Sequence, residues 1–151
     1  MFAVIRISGT VNVNRDAGDT LIMLRLNAPN NCVLIPENPD YKGMLNHVRD
    51  FITWGEVDKE TLIKVLEKRL RLIGNKKVDG KSLKEATGFD SFEKFADELI
   101  KGKKLKDFEK LKPVLRLTPP SKGFRSTREH FPKGDLGYRG KEINELLERM
   151  I

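Results

Sequence analysis

The polar and apolar positions of the first 58 residues alternate between two rhythms. "FAVIRI" (2–7) is a β-rich run bounded by Gly9, and it predicts a buried strand. In "NRDAGDTLIMLRLNAPN" the residues Ala17, Leu21, Leu24 and Ala28 recur at helical spacing, with Asp16 and Asp19 near the start, where carboxylates favour a helix N-terminus. "NAPNN" breaks that helix, and "CVLIP" (32–36) reads as a second strand. "NPDYKGMLNHVRD" places Tyr41, Met44, Leu45 and Val48 on one helical face, and "FITWGEV" (51–57) is a third strand. The pattern is β-α-β-α-β, with an interior expected from Val4, Ile5, Leu21, Leu24, Val33, Leu45, Val48 and Ile52.

After residue 58 the rhythm becomes mainly helical. Asp58 is placed as an N-cap before "KETLIKVLEKRLRLI", whose stripe is Leu62, Val65, Leu66, Leu70 and Ile73. Ser82 and Glu85 have the spacing of a capping box, and Gly88 closes that short helix. Phe92, Phe95, Ala96 and Leu99 mark a further helix ending at Gly102. "KGKKLKDFEKLKP" is a cationic connector anchored by Leu105, Phe108 and Leu111. A strand over 114–118, a basic loop over 119–140 and a terminal helix bearing Ile143, Leu146, Leu147 and Met150 complete the chain. The expected division is a core domain over 1–58 and a basic, mostly helical extension over 59–151.

Charge sharpens that division. Residues 1–58 carry five Lys/Arg and seven Asp/Glu, a net of −2, whereas residues 59–151 carry a net of +9 within a total of +7. A near-neutral half joined to a strongly basic one points to a polyanionic partner touching mainly the second half. No apolar run approaches a membrane span, and "MFAVIRISG" reads as a first strand rather than a signal peptide. The single cysteine, Cys32, excludes an internal disulfide framework.

Motifs for catalysis or metal binding are weak. "GNKKVDGKS" (74–82) has five residues between its glycines where a phosphate loop needs four, and it follows a helix instead of a strand. His47 has no cysteine or second histidine at ligand spacing, and no serine can be tied to a His/Asp pair. Trp54 reads as sheet packing. No cofactor, metal or small-molecule substrate is expected.

The stretch "PPSKGFRSTREHFPKG" (119–134) is of a different kind. It holds Lys122, Arg125, Arg128 and Lys133 against one acid, Glu129, and its large apolar residues are Phe124 and Phe131. Such a segment is expected not to bury enough apolar surface to order itself. Its arginines, with Arg139, suit forked contacts to phosphate, while Phe124, Phe131 and Tyr138 offer faces to bases or sugars. The candidate RNA contacts are Arg15, Lys76, Lys77, Lys122, Arg125, Arg128, His130, Lys133, Tyr138 and Arg139.

"DTLIMLRLNAPNNCVLIPENPDYKGMLNHVRDFITWGEVD" resembles the core of the large-subunit ribosomal protein L-thirty family in its long archaeal form. "EKRLRLIGNKKV" resembles the family's basic stretch after the third strand, and "LKPVLRLTPPSKGF" and "GDLGYRGKEINELLERM" resemble its closing segments. The resemblance implies an α+β, ferredoxin-like βαβαβ core, with a three-stranded antiparallel sheet ordered 3-1-2 and both helices on one face. It also implies a non-enzymatic, cytoplasmic role in the ribosome: binding large-subunit (23S) rRNA, with 5S rRNA as a second candidate partner and other large-subunit proteins as neighbours. "VNVNRDAGD" carries only Arg15 where bacterial members have several basic residues and a proline, which shifts the expected RNA contacts beyond residue 58. Two rival classes have their own signals. Small split β-α-β folds also host acyl-phosphate hydrolysis, for which Asn12, Asn14 and Arg15 are the candidates here. A free-standing RNA chaperone would share the basic extension.

Overall fold

The computed structural model describes residues 1–11 and 13–151. Its centre is three antiparallel strands, β1 (Phe2–Arg6), β2 (Asn31–Ile35) and β3 (Ile52–Glu56), with β1 paired to both others. Helices α1 (Arg15–Met23) and α2 (Pro39–His47) connect them. The 3-1-2 order is therefore present, but the sheet is not three-stranded and not wholly antiparallel. Strand β4 (Leu115–Arg116) adds antiparallel to β2, and β5 (Gly137–Tyr138) adds parallel to β3, giving the order β4-β2-β1-β3-β5. Open strand edges present unpaired N–H and C=O groups, and the extension pairs with both. Two-residue strands have too few positions to show a period of two, which is why the pattern of the chain does not announce them.

Every residue of β1 and β2 is buried, because the sheet is covered on both faces. Phe2, Val4, Val33, Ile35, Ile52 and Trp54 pack against α1 and α2 through Leu21, Leu24, Leu45 and Val48. Ala3, Ile5, Cys32 and Leu34 point the other way. They meet the helices α3 (Lys59–Arg69), α5 (Phe92–Ile100) and α6 (Ile143–Met150), chiefly at Leu62, Leu66, Phe95, Leu99, Ile143 and Leu146. The eight expected interior residues are all buried, but Ile5 belongs to this second layer, since alternate positions of a strand face opposite sides. Leu24 is packed under the first layer. Leu24→Ala is expected to cost about 2–5 kcal/mol in urea unfolding, and a loss of a few tenths would mean that its contacts are dispensable.

Several helix ends differ from the periodic reading. Helix α1 stops at Met23: Arg25 takes a positive φ of 61°, Leu26 N–H closes onto Leu21 O, and Ala28 lies off the helix. Helix α3 stops at Arg69 because Leu70 turns extended. The chain then makes a small hairpin bridging Arg71 and Lys77, turned by Gly74 and Asn75 at positive φ, and leaves Ile73 66% exposed. Helix α4 (Gly80–Thr87) is preceded by Asp79, so Ser82 lies inside it and the Ser82/Glu85 box does not form. Asp58 does precede α3, but its carboxylate accepts from Asn144 Nδ2 (3.1 Å) instead of capping the helix. Ser91 caps α5 through Lys94 N–H.

Gly55 explains how the end of the chain reaches β3. A Cβ at Gly55 would lie 1.9 Å from Gly140 O, so only glycine admits the turn that delivers α6 onto the sheet.

Candidate nucleic-acid interface

The basic loop is tied down by polar groups that lie largely outside it, which the expectation for the segment by itself did not include. Thr53, fully buried on β3, donates to Gly137 O (3.0 Å) and accepts from Arg139 Nε (3.0 Å). Arg139 Nη2 donates to both the backbone oxygen (3.0 Å) and the Oδ1 (2.7 Å) of Asp135. The other carboxylate oxygen of Asp135 accepts the backbone N–H of Arg125. Arg149 of α6 donates to Ser121 O (3.1 Å) and to Gly123 O, and Phe124 packs against the extension's apolar layer. Gly134 passes so close to Glu129 that a Cβ there would sit 2.2 Å from its oxygen. Low apolar content is thus offset by a buried ion pair and backbone hydrogen bonds, a network that composition does not reveal.

The predicted contact residues fall into three places. Lys122, Arg125, Arg128 and Lys133 are exposed on the loop, and none has a carboxylate partner among the described residues. His130 is on the same loop, with Nε2 2.9 Å from Asp50. Tyr138 is 52% exposed. Its ring tilts against Trp54 at 6.2 Å and its hydroxyl donates to Glu56 (2.6 Å), a bond that raises the phenol above its ordinary pKa. Arg139 is buried, its side chain 6% exposed and its guanidinium 5.5 Å above the Phe131 ring. Lys76 and Lys77 are exposed on the hairpin after α3. Arg15 stands apart, opening α1 beside a cleft that it lines with Asn14 and Arg6. The Arg6 guanidinium there is committed to the carbonyls of Ser8, Gly9 and Leu26. Asn12 lies outside the described residues.

A cationic cleft of about 450 Å³ was not foreseen from the sequence. Arg25 comes from the turn after α1, Arg69 from the end of α3, Arg71 from the hairpin that follows it, and Lys112 and Arg116 from the approach to β4 and from β4 itself. Arg69, Arg71 and Lys112 are partly buried. Arg69 Nη2 donates to Thr118 Oγ1 (3.0 Å), whereas its Nε is buried with no acceptor among the described residues. Lys112 Nζ donates to Asn75 Oδ1 (3.2 Å) on the rim. None of the five cations has a carboxylate within ion-pair distance among the described residues. The only local hint was the Arg69, Arg71 spacing in "EKRLRLIGNKKV".

Cys32 is fully buried, and burial pushes its thiol up to about 12, so it is inert as a nucleophile. Among the described residues no group of three or more His, Cys, Asp or Glu side chains could hold a metal ion. No described helix is long and apolar enough to cross a membrane.

A family model described as Ribosomal protein L30p/L7e matches residues 2–52. Over 151 residues the chain is 49% identical to the large ribosomal subunit protein uL30 of Archaeoglobus fulgidus, covering 99% of each. It is 47% identical to the protein of the same name from Methanocorpusculum labreanum, again over 99% of each, and 45% identical to that of Methanosphaera stadtmanae over the whole of both.

Proposed function

Because this chain belongs to the ribosomal protein L30p/L7e family, in its long archaeal form, we propose that it is a structural, non-enzymatic constituent of the large ribosomal subunit that binds rRNA mainly through its second half. The observation that supports these contacts is the set of exposed loop cations, Lys122, Arg125, Arg128 and Lys133, without carboxylate partners among the described residues on a loop that the rest of the chain holds in shape. Preformed cations of this kind neutralise phosphates at little ordering cost. Lys76 and Lys77 extend the contact surface, and Arg15 adds a separate one at the start of α1. His130 and Tyr138, held by Asp50 and Glu56, are proposed to present ring faces to bases or sugars. Arg139 is proposed to act from below, by fixing the loop.

The partner is proposed to be 23S rRNA, with 5S rRNA and adjoining large-subunit proteins as further neighbours in the cytoplasmic ribosome. We also propose that the division between residues 1–58 and 59–151 is one of function: the first part supplies the sheet and the second most of the phosphate contacts.

The test combines sedimentation and salt titration. The protein is expected to travel with large subunits through sucrose gradients. If about five phosphates are neutralised, log K for rRNA against log salt should slope near −4, on the basis of ~0.7–0.9 per contact. Replacing Lys122, Arg125, Arg128 and Lys133 together by Ser should flatten that slope by about three units. It should cost no more than roughly 1 kcal/mol of stability, because these side chains are exposed. Free sedimentation at the top of the gradient, or an unchanged slope, would overturn the assignment.

A further inference from the structure

We infer that the cleft formed by Arg25, Arg69, Arg71, Lys112 and Arg116 is a second RNA site, which seats a run of consecutive backbone phosphates of large-subunit rRNA. This inference rests on the ribosomal reading above and goes beyond it by naming a site that the basic loop does not include. Five cations from three separate stretches of chain converge on one concavity, although the protein has 22 Asp and Glu residues from which to supply counter-charges. Some cations elsewhere take such partners, as Lys59 does with Asp97 and Lys64 with Glu148. Here three of the like charges, Arg69, Arg71 and Lys112, are partly buried, Arg25 and Arg116 flank them at the surface, and no acid lines the cleft among the described residues, an arrangement whose self-repulsion is relieved by an anion from outside.

The charge count identifies the polymer. A single inorganic phosphate brings at most two negative charges, too few for five cations, whereas successive phosphodiesters bring one each. The planar guanidiniums of Arg25, Arg69, Arg71 and Arg116 suit forked contacts to non-bridging oxygens. The amides of Asn27 and Asn75 on the rim suit ribose hydroxyls, which mark the strand as RNA. It lies beside β4, at one edge of the sheet, where the basic loop begins, while the far end of that loop runs into β5 at the other edge. The chain would therefore grip rRNA along both edges of the sheet.

Tethered cleavage tests this in the full-length protein. Cys32 is inert to thiol reagents, so Asn27→Cys at the cleft, Lys76→Cys on the adjoining hairpin and Thr127→Cys on the basic loop each create a unique attachment point for an iron chelate. After assembly into large subunits, positions 27 and 76 are expected to cut one short rRNA segment and position 127 a different one. Cuts from 127 with none from 27 or 76 would overturn the cleft while leaving the ribosomal reading standing. No cuts from any position would remove that reading as well. In parallel, Arg71→Glu combined with Arg116→Glu is expected to flatten the salt slope by about 1.4–1.8 units for two lost phosphates, contacts that add to the about five counted above and so make the full protein's slope steeper than about −4. Its melting temperature should equal or exceed the parent's, because repulsion within the cleft falls. A wild-type slope, or a loss of stability that accounts for the weakened binding, would overturn the inference. Saturable binding of inorganic phosphate to the cleft without rRNA cuts nearby would show a free-anion site instead, and would likewise reject it.

Discussion

Arg139→Ala should destabilise the protein by about 3–5 kcal/mol, the usual cost of removing one partner from a buried ion pair. The substitution strands the Asp135 carboxylate, buried with the Arg125 N–H as its one remaining donor among the described residues, and removes a donor from Thr53 inside the sheet. Arg139→Lys should recover part of the loss, since an ammonium restores the charge but cannot serve Thr53 and Asp135 as a guanidinium does. Replacing both partners, with Asp135→Ala and Arg139→Met, should be milder than Arg139→Ala alone, because no charge is then left unpaired. Urea titration of the three variants measures this ordering. A loss below about 0.5 kcal/mol for Arg139→Ala would mean that the pair does not hold the loop. The salt slope for rRNA separates positioning from contact. A buried Arg139 should leave the slope intact under conditions where the variant is folded, whereas a direct phosphate contact would flatten it by about one unit.

Residues 1–58 expressed alone should fail to give a stable, soluble monomer, even though they contain a complete βαβαβ pattern. In the full chain Ala3, Ile5, Cys32 and Leu34 lie at no more than 6% exposure beneath α3, α5 and α6. Cutting after residue 58 uncovers that apolar face and the open edges of β2 and β3 together, which is the combination that drives association. Light scattering and circular dichroism on the fragment provide the measurement. Replacing Ile5 and Leu34 by Thr should reduce its aggregation, because polar groups on one face suit a sheet covered only on the other. A fragment that stays monomeric and unfolds cooperatively with its natural residues would show that the first 58 residues fold independently of the extension.

The sequence by itself determined the elements whose apolar residues recur at a fixed local spacing. The strands around Val4, Val33 and Ile52, the helix carrying Leu21, the helix carrying Phe95 and the terminal helix Ile143–Met150 could all be read that way. It also determined the charge asymmetry between the halves and, through motifs spread along the whole chain, the family. Local spacing reports which side of an element is apolar, not what will cover it. Ile5 could thus be recognised as buried but not assigned to the layer under the extension. The tertiary structure alone decided the rest, because each remaining feature depends on groups far apart in the chain. Strands β4 and β5 exist only as partners for the edges of β2 and β3. The basic loop keeps its shape through Thr53, Asp135 and Arg139, a polar network that a hydrophobicity pattern counts against order. The cationic cleft needs Arg25, Arg69 and Arg116 brought together from separate elements, and no window of sequence contains all three. Electrostatic convergence of that kind is a property of folded distances, since Coulomb energy depends on separation in space and not on separation along the chain.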